Sequence, residues 1–420
     1  MPNALAISKF TSKVGSGATP KGGKEAYLGG DYALIRSQNV HDFIFSNDGL
    51  AYIDDTQAKK LDNVEVKKGD VLLNITGDSI ARCCSVPNDI LPARVNQHVS
   101  IIRCKNIEDS EYLKYYLINL KSYLMQICGV GGTRNALTKE AVEKLIVKFQ
   151  DNHVKLAKVL SSLDSKIELN NKINKELEAM AKTLYDYWFA QFDFPDVNGK
   201  PYKSSGGKMV YNQELKREIP ERWEIGCIGD YCKSTGGFAF KSSWWTEKGV
   251  SVIKIKDIQE NYTIDISNLS KVDLSNKKID DKFKAEAGNV LIAMTGATVG
   301  KYAIVPITDN SIYINQRVGY FNLGKEPTKK LPYFINSLNQ SYFREMIFTL
   351  ASGAAQPNIS NEQINNIKLL IPKKDIVENF NNKLSSFYKL ILNNQQQNQE
   401  LSKLRDWLLP MLMNGQVRVK

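Results

Sequence analysis

The chain has 420 residues, long enough for two or three domains that each bury a core. Hydrophobic residues make up 42% of it, ordinary for a globular protein, and no run approaches the ~18 consecutive apolar residues that a membrane span needs. A formal net charge of +11 and a pI near 9.1 favour a polyanionic partner, because clustered Lys and Arg release phosphate counterions on binding.

The opening Met1-Pro2-Asn3-Ala4-Leu5 lacks the charged and apolar regions of a secretory signal, so the cytoplasm is the expected compartment. A Gly17-Ala18-Thr19-Pro20 turn follows the first short run. Short β-like runs then alternate with turn residues. An apolar helix is expected near Glu111–Met125, then another strand and a long helix.

The same order then returns. Gly69-Asp70-Val71-Leu72-Leu73-Asn74-Ile75-Thr76-Gly77 recurs as Gly288-Asn289-Val290-Leu291-Ile292-Ala293-Met294-Thr295-Gly296, a shift of 219 residues (69 to 288). Val95-Asn96-Gln97-His98-Val99 returns as Ile314-Asn315-Gln316-Arg317-Val318 at the same shift. Leu34–Val40 matches Val252–Ile258 at 218, Leu137-Thr138 matches Ile359-Ser360 at 222, and Leu160-Ser161-Ser162 matches Leu384-Ser385-Ser386 at 224. The drift means a few small insertions in the second copy, whose apolar helix is expected near Leu331–Phe348. One chain thus carries two copies of one module. Residues 1–150 and 219–373 form globules, and 151–190 and 374–416 form long helices. Residues 191–218, rich in Pro, Gly, Asn, Lys and Ser, form a surface linker leading to Ile219-Pro220-Glu221-Arg222-Trp223.

The long helices carry heptad seams. The first reads Leu156, Leu160, Leu163, Ile167, Asn170, Asn174, Leu177, Ala181, Leu184, Trp188. The second reads Phe380, Leu384, Phe387, Ile391, Asn394, Asn398, Leu401, then slips to Leu404, Leu408 and Met411. Asn170 and Asn174 coincide with Asn394 and Asn398 at a shift of 224 and sit at the middle of each seam. Antiparallel packing would set Asn170 against Asn398 and Asn174 against Asn394. Buried seam asparagines cost stability but fix register. The other reading leaves them solvated where the helices splay. The tract Asn393–Glu400 then belongs to a helix face and not to a low-complexity linker. The first seam, Leu156 to Trp188, spans 33 residues and so roughly 50 Å, and antiparallel pairing would put a globule at each end of a rod.

One enzyme pattern survives a literal search, and the others fail. Cys83, Cys84, Cys104, Cys128, Cys227 and Cys232, with His41, His98 and His153, make no zinc pattern and read as reduced, mostly buried thiols. Gly17–Lys24 and Gly296–Lys301 approach a phosphate loop but have the wrong spacing and lack its Ser/Thr. There is no Pro-Pro dipeptide of the kind an adenine methyltransferase needs. Pro195-Asp196 with Glu214-Leu215-Lys216 fits a loose nuclease pattern, but both pieces lie in the polar linker, away from any apolar strand.

Two β-rich halves with a G-[DN]-V-L…T-G stretch, a following Asn-Gln pair and a terminal long helix resemble the specificity subunit of a Type I restriction–modification system. Ile219–Trp223 and Gly17–Pro20 are also typical of it, although the second copy has Gly236-Gly237-Phe238-Ala239 at the latter place. The resemblance implies a mixed α/β fold: two pseudo-twofold-related target-recognition globules separated by two long antiparallel coiled-coil helices. It implies a non-catalytic chain in which each globule reads half of a bipartite, asymmetric site in double-stranded DNA. The helices would set the spacing and dock two modification (methyltransferase) subunits, joined by restriction/translocase subunits. S-adenosylmethionine, ATP and magnesium would belong to those partners, with no cofactor or metal here. A stand-alone architectural or regulatory DNA-binding protein is the alternative class, with a linker nuclease behind it.

Loops that read different bases should differ between copies, whereas the framework should not. The divergent stretches are Gly15–Tyr27, His41–Val66 and Asp78–Arg94, against Ser234–Gly249, Gln259–Ala287 and Ala297–Tyr313. Arg and Lys pair with guanine or phosphate, and Asn or Gln with adenine. The DNA-binding candidates are Lys21, Lys24, Arg36, Arg82, Arg94 and Gln97 in the first copy. In the second they are Lys241, Lys254, Lys256, Lys301, Gln316 and Arg317. Asn96-Gln97 and Asn315-Gln316 are either strand-end hydrogen-bonders or backbone contacts. Thr76-Gly77 and Thr295-Gly296 read as turns, and Trp244-Trp245 as buried rings before stacking platforms. The helix-end clusters Tyr185, Tyr187, Trp188, Phe189 and Trp407, Leu408, Leu409, Met411, Leu412 suit either partner interfaces or packing on the globules.

Overall fold

The computed structural model describes residues 3–20, 22–27, 29–128, 136–214, 216–259, 262–352 and 357–417. The chain divides into two compact units, residues 1–167 with 400–420, and residues 168–399. Each unit holds one repeat and part of each long helix.

In the first unit an antiparallel sheet runs Thr11–Ser16, Val99–Cys104, Val71–Asn74, Cys83–Ser85. A second sheet runs Ala51–Ile53, Tyr32–Ile35, Ala93–Val95, Glu65–Val66, with a parallel pair at its centre. The centre of the repeated motif, Val71-Leu72-Leu73, is apolar because its strand lies between two cores. Val71 and Leu73 face the helices, and Leu72 faces the second sheet. Side chains alternate faces along a strand, so burial on both sides requires an unbroken apolar run. Val290–Ala293 repeats this in the second unit, with Val290 and Ile292 on the helix side and Leu291 and Ala293 on the sheet side. Each strand is entered through a left-handed glycine, Gly69 (φ 83°) or Gly288 (φ 82°). Next to it, fully buried Asp70 is held by Arg103 at 2.7 Å and by the Lys67 N–H, whereas its counterpart Asn289 accepts the Leu323 N–H at 2.6 Å.

The single apolar helix expected in each copy is instead two, Glu108–Asn119 with Lys121–Cys128, and Leu331–Leu338 with Ser341–Ala351. The break in the second unit falls where Asn339 accepts from the Tyr302 hydroxyl and Gln340 turns to extended backbone (ψ 144°). Residues 192–218 are less open than their composition implies. Phe192 and Phe194 are buried against Trp223, and Met209–Asn212 pairs with Arg217–Pro220 in a hairpin.

The long helices are His153–Tyr185, prolonged by a π-turn at Asp186–Ala190, and Lys374–Met413. In the second unit Asn394 donates to Asn174 and Asn170 donates to Asn398, both at 2.8 Å, so the helices there run antiparallel. In the first unit the expected slip to Leu404 does not occur. Leu404 is 43% exposed, while Leu409 and Leu412 are buried with Leu156 and Leu160. The heptad continues as Leu401, Arg405, Leu408, Leu412, with a cation at an apolar position. Arg405 is tolerated there, 7% exposed, because Asp164 accepts from its guanidinium at 2.9 Å. The helix ends divide between the two expected roles. Tyr185, Trp188 and Phe189 pack into the second unit's core and Leu409 and Leu412 into the first's, whereas Tyr187 and Trp407 stay 37% and 58% exposed.

All six cysteines are free thiols, five of them buried. Burial pushes the Cys84 thiol up to about 12 and those of Cys104 and Cys232 to about 11.

Candidate nucleic-acid interface

Three turns interlock at one end of the first repeat. Strand Ala93–Val95 leaves the second sheet and returns to the first as Val99–Cys104, turning through Asn96-Gln97-His98. Asn96 is buried and its side-chain oxygen accepts the His98 N–H at 3.0 Å, which makes it the brace of the turn and leaves Gln97 exposed at the tip. The Gly17–Pro20 turn docks alongside. The Gly17 N–H donates to the Asn96 carbonyl at 3.1 Å, and a Cβ at Gly17 would stand 1.8 Å from the Val95 oxygen, so only glycine fits. Thr19 contacts Gln97. The third turn is Ile75-Thr76-Gly77, where the Ile75 N–H donates to the His98 carbonyl at 3.0 Å and Thr76 Oγ1 lies 2.5 Å from His98 Nδ1. Thr76 also bridges to Ala136.

The second repeat builds the same platform. Asn315 accepts the Arg317 N–H, Met294 donates to the Arg317 carbonyl at 3.1 Å, and Thr295 bridges to Asn358. The glycine in the Gly17 place is Gly237, where a Cβ would meet the Ile314 and Asn315 oxygens at 2.4 Å. The two loops therefore align one residue away from the match of Gly17 with Gly236, but they dock differently: the Gly17 N–H donates to the Asn96 carbonyl and the Gly237 N–H to the Val318 carbonyl at 3.2 Å. On top, the exposed glutamine is common to both copies, Gln97 and Gln316, and the next side chain differs, His98 in one and Arg317 in the other.

The other candidates separate by exposure. Lys21 lies outside the described residues, and Lys24 is described only as part of a short turn, Gly23–Tyr27. Arg94 is a correction to the expected reading. Its side chain is 6% exposed, pairs with Asp62 at 2.7 Å and donates to the Ala58 carbonyl at 3.2 Å, so it has no surface to offer DNA. Arg36 is largely absorbed as well, reaching the Gly49 carbonyl at 2.5 Å and lying over Tyr27 at 5.9 Å. Lys254, its counterpart at a shift of 218, sits 3.4 Å from the Trp245 ring centre, and burial followed by the nearby Lys256 lowers its pKa. Arg82 and Lys301 are half-buried at matching turns; Lys301 lines a cleft of about 330 Å³ with Arg344 and Phe348. Lys241, Lys256, Gln316 and Arg317 are exposed. His98 and Arg344 lie beside these candidates without being among them; the match of His98 to Arg317 is visible in the sequence, whereas Arg344 reaches the cleft with Lys301 only through the fold.

The nuclease pattern does not assemble. Asp196 spends its oxygen on the N–H groups of Asn198 and Lys200, and Glu214 faces Lys368 at 3.4 Å. No group of acids, His and Cys suited to a metal ion occurs among the described residues, nor is any helix there long and apolar enough to cross a membrane.

Two copies of one mixed α/β module, each with a platform of turns at one end, define a duplicated, two-module protein. The model of the Type I restriction modification DNA specificity domain matches residues 11–179 and 220–403, and the chain belongs to that family. It is 27% identical to the Type I restriction enzyme MjaIX specificity subunit of Methanocaldococcus jannaschii, over 98% of this chain and 93% of that protein. It is 26% identical to the HindI specificity subunit of Haemophilus influenzae, over 86% and 88%. The crystal structure of a Type I restriction–modification S subunit from M. genitalium shares the fold, with a TM-score of 0.53 at 15% identity over 98% of this chain and 95% of that one. The protein is a specificity subunit, the non-catalytic component of such enzymes, with catalysis in partner subunits.

Proposed function

We propose that each repeat reads one half of a bipartite, asymmetric site in double-stranded DNA, and that the paired helices set the spacing. The supporting observation is the platform itself: matching backbone bonds at two of its turns, Ile75 to His98 with Met294 to Arg317 and Val99 to Asn96 with Val318 to Asn315, carry Gln97-His98 in one copy and Gln316-Arg317 in the other. A constant frame under variable, polar tips suits two half-sites of different sequence. Exposed Gln97, Lys241, Lys256, Gln316 and Arg317 are the first residues expected at the DNA, with Arg82 and Lys301 beside them. Two modification subunits dock on the helices, where Met180 and Leu404, equivalent at a shift of 224, are 56% and 43% exposed. Restriction/translocase subunits complete the assembly. S-adenosylmethionine, ATP and magnesium belong to those partners.

The test is co-expression with the modification subunits and genome-wide mapping of N6-methyladenine. One bipartite motif, lost on deletion of either repeat, supports the reading. No complex at all favours a stand-alone DNA-binding protein. Inserting one heptad in both helices lengthens them by roughly 10 Å. The spacer should then grow by about three base pairs. An unchanged spacer removes the helices from that role.

A further inference from the structure

Phe43 and Tyr262 hold the same place in the two repeats, a shift of 219, and both adopt a left-handed backbone, φ 69° and 60°. A bulky residue stays in that region only where its surroundings hold it. In the second unit Tyr262 is held by stacking on Tyr302, with centroids 5.1 Å and planes 19° apart. The residue matching Tyr302 in the first repeat is Cys83, which offers no ring. There the Arg405 guanidinium lies 3.5 Å from the centre of the Phe43 ring.

Arg405 reaches Phe43 from the helix seam. Asp164 of the first helix fixes it at 2.9 Å and accepts the Tyr115 hydroxyl at 2.6 Å, with Lys114 at 3.8 Å. Phe43 donates its N–H to the Cys83 carbonyl at 3.0 Å, and the adjoining Asp42 pairs with Lys121. The seam residue matching Arg405 in the first helix is Ala181, so the second unit has no such tie. Phe43 belongs to His41–Val66, one of the stretches that diverge between copies.

We propose that Arg405 is a positioning residue for the first recognition module. From the seam it holds Phe43, and with it the segment His41–Ser46, in the conformation used to read DNA, without itself touching DNA. The inference rests on the half-site reading above.

The experiment maps methylation by the full complex carrying Arg405→Met with Asp164→Asn, or Arg405→Lys alone. The double variant leaves no buried charge unpaired. Discrimination should fall about ten-fold at positions in one half of the motif, with the other half and the spacer unchanged. Arg405→Lys, which keeps the charge but loses the flat stacking face, should restore part of it. Loss spread evenly over both halves, or an unchanged motif, overturns the inference. If the double variant does not fold, half-specific loosening by Arg405→Lys alone decides. A wild-type complex with no bipartite motif instead overturns the half-site reading and this inference with it.

Discussion

The two repeats share the strand buried between two cores and differ at the edges of the sheet behind it. The first closes that sheet with Glu65–Val66 beside Ala93–Val95, whereas among the described residues the second has a single bridge there, Lys284 to Tyr313. The second instead adds Trp245–Thr246 on the opposite edge, backed by Phe238, Phe240 and Trp244. Positions that permit a close approach or a left-handed turn stay fixed: Gly17 with Gly237, Gly69 with Gly288, Gly77 with Gly296. Variation thus gathers where backbone geometry is least constrained. Sheet edges and turn tips accept new side chains without disturbing the strand buried between two cores.

That contrast can be broken by substitution. The largest effect is expected at the shared glycines. Gly17→Ala should destabilise the first unit by about 4 kcal/mol, and Gly237→Ala the second by less, since its clash is 2.4 Å and not 1.8 Å. Denaturant unfolding measures both, and equal, small effects would show that the loops move aside. Next, Asp70→Asn should cost about 3 kcal/mol by stranding Arg103, while the Asn289 site shows that a neutral turn works once its cation is absent. If Arg103→Leu with Asp70→Asn recovers no stability, the ion pair is not what the turn relies on.

Replacing Asn170, Asn174, Asn394 and Asn398 together by Leu should raise stability by about 2 kcal/mol and loosen register or oligomeric state. A drop in melting temperature would contradict their place in the seam. The smallest effect is at Glu178, whose carboxyl is raised by burial from 4.5 to about 7. Its folded pKa exceeds the unfolded value, so the folded state holds the proton more tightly and stability falls as pH climbs from 4.5 through 7. Glu178→Gln should therefore stabilise the second unit by about 1 kcal/mol at pH 8, allowing for solvent screening, and by nothing at pH 4. A pH-independent gain would assign the effect to packing.

Much of this was legible because the chain compares itself with itself. The repeat exposed the motif that forms each central strand, though not its burial on both faces, and the coinciding asparagines gave the antiparallel register. Arg405 was missed because a cation at a heptad position reads as a slip, and only the distant Asp164 makes it acceptable. Arg94 was over-read for the complementary reason, since a surface arginine and a buried, paired one look alike in sequence. The helix breaks depend on long-range partners such as Tyr302 on Asn339. The platform's parts were all visible, but not that Asn96 braces while Gln97 presents, because that division is set by which side chain the turn encloses.

The buried thiols give the molecule a built-in clock. Cys83, Cys84, Cys104 and Cys128 are all buried in the first unit, whereas Cys227 in the second is partly open. Alkylation proceeds through the thiolate, which burial suppresses. One thiol should therefore react at once and the others only as their surroundings open. Four of the five later labelling steps would time the opening of the first unit and the Cys232 step that of the second, without any engineered probe, and adding the DNA target should slow them.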